Sequence, residues 1–148
     1  MKKVLTVLLV VIFTLCGCSK NDGKFYLDKE YYGSSEFIEV DSRQINELQE
    51  KKASYIVFTY NPFCSLQVPC DDIFKEYMKN NKVSFYSISY DEFSKTELVK
   101  TVKFAPSVII INKGEIKAYL DASLDSDLDK YQDTEKFSDW VNSFIKLK

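Results

Sequence analysis

The sequence predicts one α/β domain, a central mixed sheet layered between helices in a three-layer α/β/α sandwich. Three observations predict it. Between residues 36 and 148, short apolar runs rich in β-branched residues alternate with segments of helical periodicity, and such alternation implies parallel strands joined by crossover helices. The last two runs, SVIIIN and EIKAYL, are separated by only a Lys-Gly turn, which adds an antiparallel hairpin. Eleven Phe and ten Tyr in 148 residues supply the bulk for an aromatic core in a single domain.

Taken in order, the elements read β-α-β-α-β-α-β-β-α. EFIEV, residues 36–40, is a short strand. Asp41 or Ser42 caps a helix running to about Lys52, with Ile45 and Leu48 on its inner face. SYIVFTY, residues 54–60, is a buried strand. CDDIFKEYMKNN, opening at Cys70, is a helix with Ile73, Phe74, Tyr77 and Met78 on one side. VSFYSISY, residues 83–90, is the third strand. Ser94 and Glu97 form a capping box, S-x-x-E, that starts a helix to about Val102. The hairpin strands, residues 107–112 and 115–120, come next. DTEKFSDWVNSFIKLK then closes the chain as an amphipathic helix, with Phe137, Trp140, Val141, Phe144 and Ile145 at helical spacing and Trp140 buried on the sheet.

The first residues have a different character. MKK is followed by VLTVLLVVIFTL, ending at Leu15, and then CGCSK. A basic start, about a dozen apolar residues and a small-residue cleavage region describe an export signal. The apolar run is shorter than the about 20 residues a spanning helix requires. Leu15, Cys16, Gly17 and Cys18 resemble the lipobox of bacterial lipoproteins. That resemblance implies cleavage before Cys18, diacylglycerol on its thiol, and a chain held at the cell membrane on its extracytoplasmic face. The domain plan is then a signal at residues 1–17, a lipidated cysteine and tether at 18–35, and the folded domain at 36–148. Within the tether, Phe25, Tyr26, Tyr31 and Tyr32 are positioned to pack on the domain.

Loss of residues 1–17 removes Lys2 and Lys3 and no acid, so the formal charge moves from −2 to −4. An acidic chain argues against a nucleic-acid partner. The absence of histidine excludes His-based triads, and zinc or copper sites of the usual kind are not expected. No metal and no cofactor is called for. With Cys16 in the signal and Cys18 lipidated, Cys64 and Cys70 are the cysteines left to the domain. An exported domain with one isolated pair usually holds it oxidised at least part of the time.

The element order, the cysteines after the second strand and the segment FAPSVIIINKGEI together resemble the thioredoxin fold. The resemblance covers most of residues 36–148 and implies that Pro106 is the cis-proline preceding the next strand. It further implies that Ala105 and Pro106 flank the cysteines and hold a substrate peptide extended, and that Cys64 and Cys70 exchange disulfides with exported proteins or with a membrane redox partner. The chain departs from the family pattern in three places. Five residues, SLQVP, separate the cysteines instead of two; Phe58 stands where the family has a buried acid; and Phe63 replaces a tryptophan. In a continuous helix, cysteines six positions apart lie about 9 Å apart along the axis and about 240° around it, beyond the about 7 Å Cα separation that a disulfide tolerates. Pro69 disfavours helix at Val68 and suits the first helical position, so a loop over residues 65–68 lets Cys64 return toward Cys70.

A redox-active pair, a structural disulfide and unpaired thiols all remain compatible with these residues. In the redox reading, Cys64 is the exposed nucleophile and Cys70 the resolving thiol. Two rival relatives of the fold do not fit. A peroxiredoxin needs Thr where Asn61 stands and a nearby arginine, yet the one arginine, Arg43, is on the first helix. A copper chaperone of the Sco type needs a histidine. The competing class is a thioredoxin-fold binding or accessory lipoprotein whose cysteines merely staple the domain.

Overall fold

The computed structural model describes residues 23–61 and 70–148; the signal, Cys18, Cys64 and Pro69 lie outside them. Five strands form one sheet: β1 (Phe37–Glu39), β2 (Tyr55–Tyr60), β3 (Phe85–Ser89), β4 (Ser107–Asn112) and β5 (Glu115–Tyr119). Their order across the sheet is β1-β3-β2-β4-β5, with β1, β3 and β2 parallel and β4 and β5 antiparallel. The helices are α1 (Ser42–Glu50), α2 (Cys70–Asn81), α3 (Tyr90–Phe93), α4 (Asp125–Leu128) and α5 (Thr134–Asn142). The expected fold class is observed, and the five strands come in the expected order among the helices, with one short helix, α4, added between β5 and the last helix.

Each connection has a local cause. Asp41 caps α1 through a reciprocal box: its carboxylate accepts from Gln44 N at 2.8 Å, and Gln44 Oε1 accepts from Asp41 N at 3.0 Å. The hairpin turns at Lys113 and Gly114, with φ of 52° and 78°. A Cβ on Gly114 would lie 2.9 Å from the Gln49 carbonyl oxygen, so only glycine lets the turn approach α1 so closely.

The core is aromatic on both sides of the sheet. On one face Phe74 and Tyr77 of α2 meet Phe137 of α5, with ring centroids 4.6 and 5.3 Å from it, and Phe58 of β2 lies 5.1 Å from Phe74. Elsewhere Tyr31 and Tyr55 bracket Tyr86 at 5.3 and 5.6 Å. Tyr31 belongs to a short 3-10 turn, Lys29–Tyr31, and it is fully buried together with Leu27. Residues 25–32 are thus held on the body: Phe25 bridges Ile145 and Tyr32 bridges Val83.

Two expected elements differ. The third crossover does not start at a Ser94 cap. Ser89 caps α3 instead, its side chain accepting from Glu92 N, while Ser94 Oγ donates back to the Asp91 carbonyl at the end of that turn. The chain then enters a 3-10 turn, Glu97–Lys100, without a side-chain cap. The regular last helix ends at Asn142; Ile145 N still donates back to Val141 O, and there the chain also pairs with Phe25, whose N donates to Phe144 O and whose carbonyl accepts from Lys146 N. Trp140 is half-buried rather than in the core, stacked at the rim between Phe137 and Phe144 at 6.0 and 5.8 Å. The fully buried positions of α5 are Phe137 and Val141.

Candidate active site

The site lies at one end of the sheet. Thr59, near the end of β2, pairs with Ser107 at the start of β4. The end of β2 and the turn entering β4 therefore lie side by side at this end of the sheet. Ala105 and Pro106 form that turn, joined by a cis peptide bond, with Pro106 buried and Ala105 half-buried.

Cys70 is the first residue of α2 and is 7% exposed. Its burial follows from the helix face beneath it, where Phe74 is fully buried against Phe58 and Phe137. Amides at a helix N-terminus favour negative charge nearby. Asp71 and Asp72 add negative charge in the same turn, which Lys75 partly offsets at 2.6 Å from Asp71 and 3.6 Å from Asp72.

Tyr131 joins the two halves of the site. It sits in a 3-10 turn, Asp129–Tyr131, and is 1% exposed. Its hydroxyl donates to the Pro106 carbonyl at 3.0 Å, and its ring lies 5.9 Å from Phe74. Burial pushes its pKa well above that of an ordinary tyrosine, and the charge of the neighbouring Cys70 sulfur adds to the rise, as do Asp127 and Asp121. Tyr131 therefore stays a neutral phenol through any thiol titration and acts as a fixed donor.

The 103–107 turn is fastened at further points. Ser107 Oγ donates to Phe104 O at 2.7 Å, and the Tyr90 hydroxyl donates to Lys103 O. Phe104 is 55% exposed beside Ala105, so the turn offers an aromatic surface next to its backbone.

Of the residues singled out from sequence, Pro106 accepts a hydrogen bond from Tyr131, and Cys70 is an electrostatic neighbour of the same phenol; Cys64 and Cys18 fall outside the described residues. Phe58 is buried on Phe74, so the position of the family's buried acid offers no proton acceptor. Sequence reasoning misses Tyr131. It stands in the polar run DLDKYQDTEK, where an isolated aromatic is its one local signal.

Among solved structures, the chain is similar to the N21Q mutant thioredoxin from Halobacterium salinarum NRC-1, with 14% identity and a TM-score of 0.56 over 79% of this chain and 96% of that one. It is also similar to the reduced thioredoxin pre-protein of Schistosoma mansoni, with 23% identity and a TM-score of 0.50 over 75% and 100%. Oxidised thioredoxin O2 from Arabidopsis thaliana gives 12% identity and a TM-score of 0.52 over 78% and 99%. No protein-family model and no curated protein matches the chain. The likenesses establish a thioredoxin-like fold.

Proposed function

We propose that this chain is an extracytoplasmic thiol-disulfide oxidoreductase, anchored through lipid on Cys18, that exchanges disulfides with exported cysteine-containing proteins through Cys64 and Cys70. One observation carries the reading: the buried phenol of Tyr131, which donates to the carbonyl of the cis-proline, also feels the charge of the cysteine that opens α2. In this chemistry the Cys64 thiolate attacks one sulfur of a substrate disulfide, forming a mixed disulfide and expelling a substrate thiolate. The Cys70 thiolate then attacks Cys64 sulfur, expelling the second substrate thiolate. Two electrons pass to the substrate and the Cys64–Cys70 disulfide remains; the reverse sequence oxidises a dithiol.

The burial of Cys70 and the apolar Phe58 favour a second reading, a non-catalytic binding lipoprotein with a structural Cys64–Cys70 disulfide. Mixed-disulfide trapping separates them. Cys70→Ser is expected to accumulate exported partners on Cys64, and Cys64→Ser far fewer. A pair with a reduction potential below about −300 mV, with neither variant trapping a partner, would establish the staple. The anchor is tested separately: Cys18→Ala should abolish lipid labelling.

A further inference from the structure

At the far end of α2 from Cys70 lies a second feature. Asn80, Asn81 and Lys82, at and just beyond the helix C-terminus, line an open cavity of about 660 Å³ with Lys29, Tyr32 and Lys148. Backbone pairing holds these segments side by side: Gly33 N donates to Lys82 O at 2.8 Å, and the Tyr32 hydroxyl donates to Lys146 O at 2.6 Å. Lys148 lies over the Tyr32 ring at 4.5 Å, and Lys146 and Lys148 each lie 5.9 Å from the Tyr26 ring. Tyr26 is 54% and Leu147 38% exposed beside them. Glu30 and Asp28 are the acids in the same stretches, and the Asp28 carboxylate is engaged by Ser54 N at 3.1 Å.

We infer that this face, with Lys29, Lys82 and Lys148 around the cavity and Tyr26 and Leu147 at its rim, docks on an anionic phospholipid surface. Lysines flanked by exposed aromatic and aliphatic side chains suit a headgroup layer, where cations meet phosphate and rings sit at the boundary. The chain as a whole is acidic, so an anionic surface repels it unless one basic face turns toward that surface. The placement of the chain start agrees. Phe25 enters the body beside Phe144 and Lys146, and the seven residues from Cys18 to Phe25 reach at most about 25 Å. An anchor at Cys18 keeps this face near the membrane. Because α2 spans about 17 Å, docking would hold the Cys70 end away from the lipid and open to other proteins.

The inference rests on the envelope location proposed above, yet the two fail separately, since lipid labelling reads Cys18 and vesicle binding reads this face. A chain beginning at Ser19 keeps every described element and carries no lipid. It is expected to sediment with vesicles of equal parts phosphatidylglycerol and phosphatidylcholine, to ignore pure phosphatidylcholine, and to be released by salt. Each lysine removed should lower partition about fivefold. Lys29→Gln with Lys82→Asn and Lys148→Gln should therefore lower it about a hundredfold; asparagine suits the left-handed backbone at position 82, where φ is 50°. The pair Lys29→Gln and Lys148→Gln, at exposed positions, gives a smaller loss without touching that turn. Lys100→Gln with Lys117→Gln, whose lysines already pair with Glu97 and Glu115, should change nothing. Failure of the Ser19 chain to bind, equal binding to both vesicle types, an unaffected triple variant, or an equal loss in the control pair would each overturn the inference.

Discussion

The two ends of α2 are built on opposite plans. At the N-terminus, Cys70 is buried on the helix whose Phe74 meets Phe58 and Tyr131, and the Tyr131 phenol donates to the Pro106 carbonyl. At the C-terminus, Asn80, Asn81 and Lys82 are open or half-open to solvent and face further lysines. Both ends match the helix macrodipole, which favours negative charge at the first turn and positive charge at the last. They differ in how firmly they are held. The first end is fixed by close packing, the second by backbone pairing around an open cavity. A site that must hold a sulfur against a turn needs the former, and a surface that meets a fluid layer can use the latter.

The sharpest way to break this contrast is to hollow the packed end. Phe74→Ala removes the ring on which Phe58, Tyr131 and Phe137 converge, and should cost about 3–5 kcal/mol in urea unfolding. Trp140→Ala, at the rim rather than the core, should cost about 1–2 kcal/mol. Equal losses would mean that Trp140 anchors α5 as firmly as Phe74 anchors α2. Lys82→Asn, at the open end, should stay within about 0.5 kcal/mol of the parent.

A smaller effect tests the phenol. Tyr131→Phe keeps the ring and leaves the buried Pro106 carbonyl without its donor, at a cost of about 1–2 kcal/mol near neutral pH. The same variant has an alkaline signature. Burial raises the pKa of Tyr55 to about 12 and raises Tyr77 and Tyr131 as well. The native state therefore holds these protons after the unfolded chain has released them. Their stabilising contribution is complete below pH of about 10 and declines above it, by about 1.4 kcal/mol per pH unit for each tyrosine. Removing the Tyr131 hydroxyl should make the decline between about pH 10 and 12 shallower by about that amount. An unchanged slope would show that Tyr131 ionises without strain in the folded protein.

The strands were legible in the sequence because apolar β-branched runs such as SYIVFTY and SVIIIN leave little else for the backbone to do, and Pro106 was legible because Ala-Pro-Ser precedes such a run. What escaped depended on partners remote in the chain. Nothing local says that Ser89, not Ser94, takes the cap; Tyr90, expected in the strand, opens α3 instead. Ile145 has helical spacing and still donates to Val141 O, yet the chain there leaves the regular helix to bridge Phe25, a residue remote in sequence. Tyr131 is the same lesson at the site. Its role is set by the Pro106 carbonyl and the Phe74 ring, contacts that no periodicity encodes.

The smallest expected effect concerns the acids beside Cys70. Asp71 and Asp72 are good first-turn residues, and Lys75 pairs with both at 2.6 and 3.6 Å. Hydrogen bonding to Asp71 is the main reason the Lys75 ammonium is held above its ordinary pKa. All three side chains are substantially exposed, so solvent screens the attraction and an i,i+4 pair of this kind contributes about 0.3–0.5 kcal/mol. Lys75→Gln should lower stability by no more than that, and added salt should shrink the difference. Lys75 acts on the thiol in the same direction as the helix amides, and the carboxylates against them: with Lys75 gone, two uncompensated carboxylates oppose a thiolate at Cys70. In a Cys64→Ser background, alkylation of Cys70 should shift to higher pH in the Lys75→Gln variant, while Tyr131→Phe with Lys75 intact reports the buried side alone. A Lys75→Gln penalty above about 1 kcal/mol, or a thiol profile that does not move, would mean that these first-turn charges serve the thiol end differently from an ordinary exposed pair.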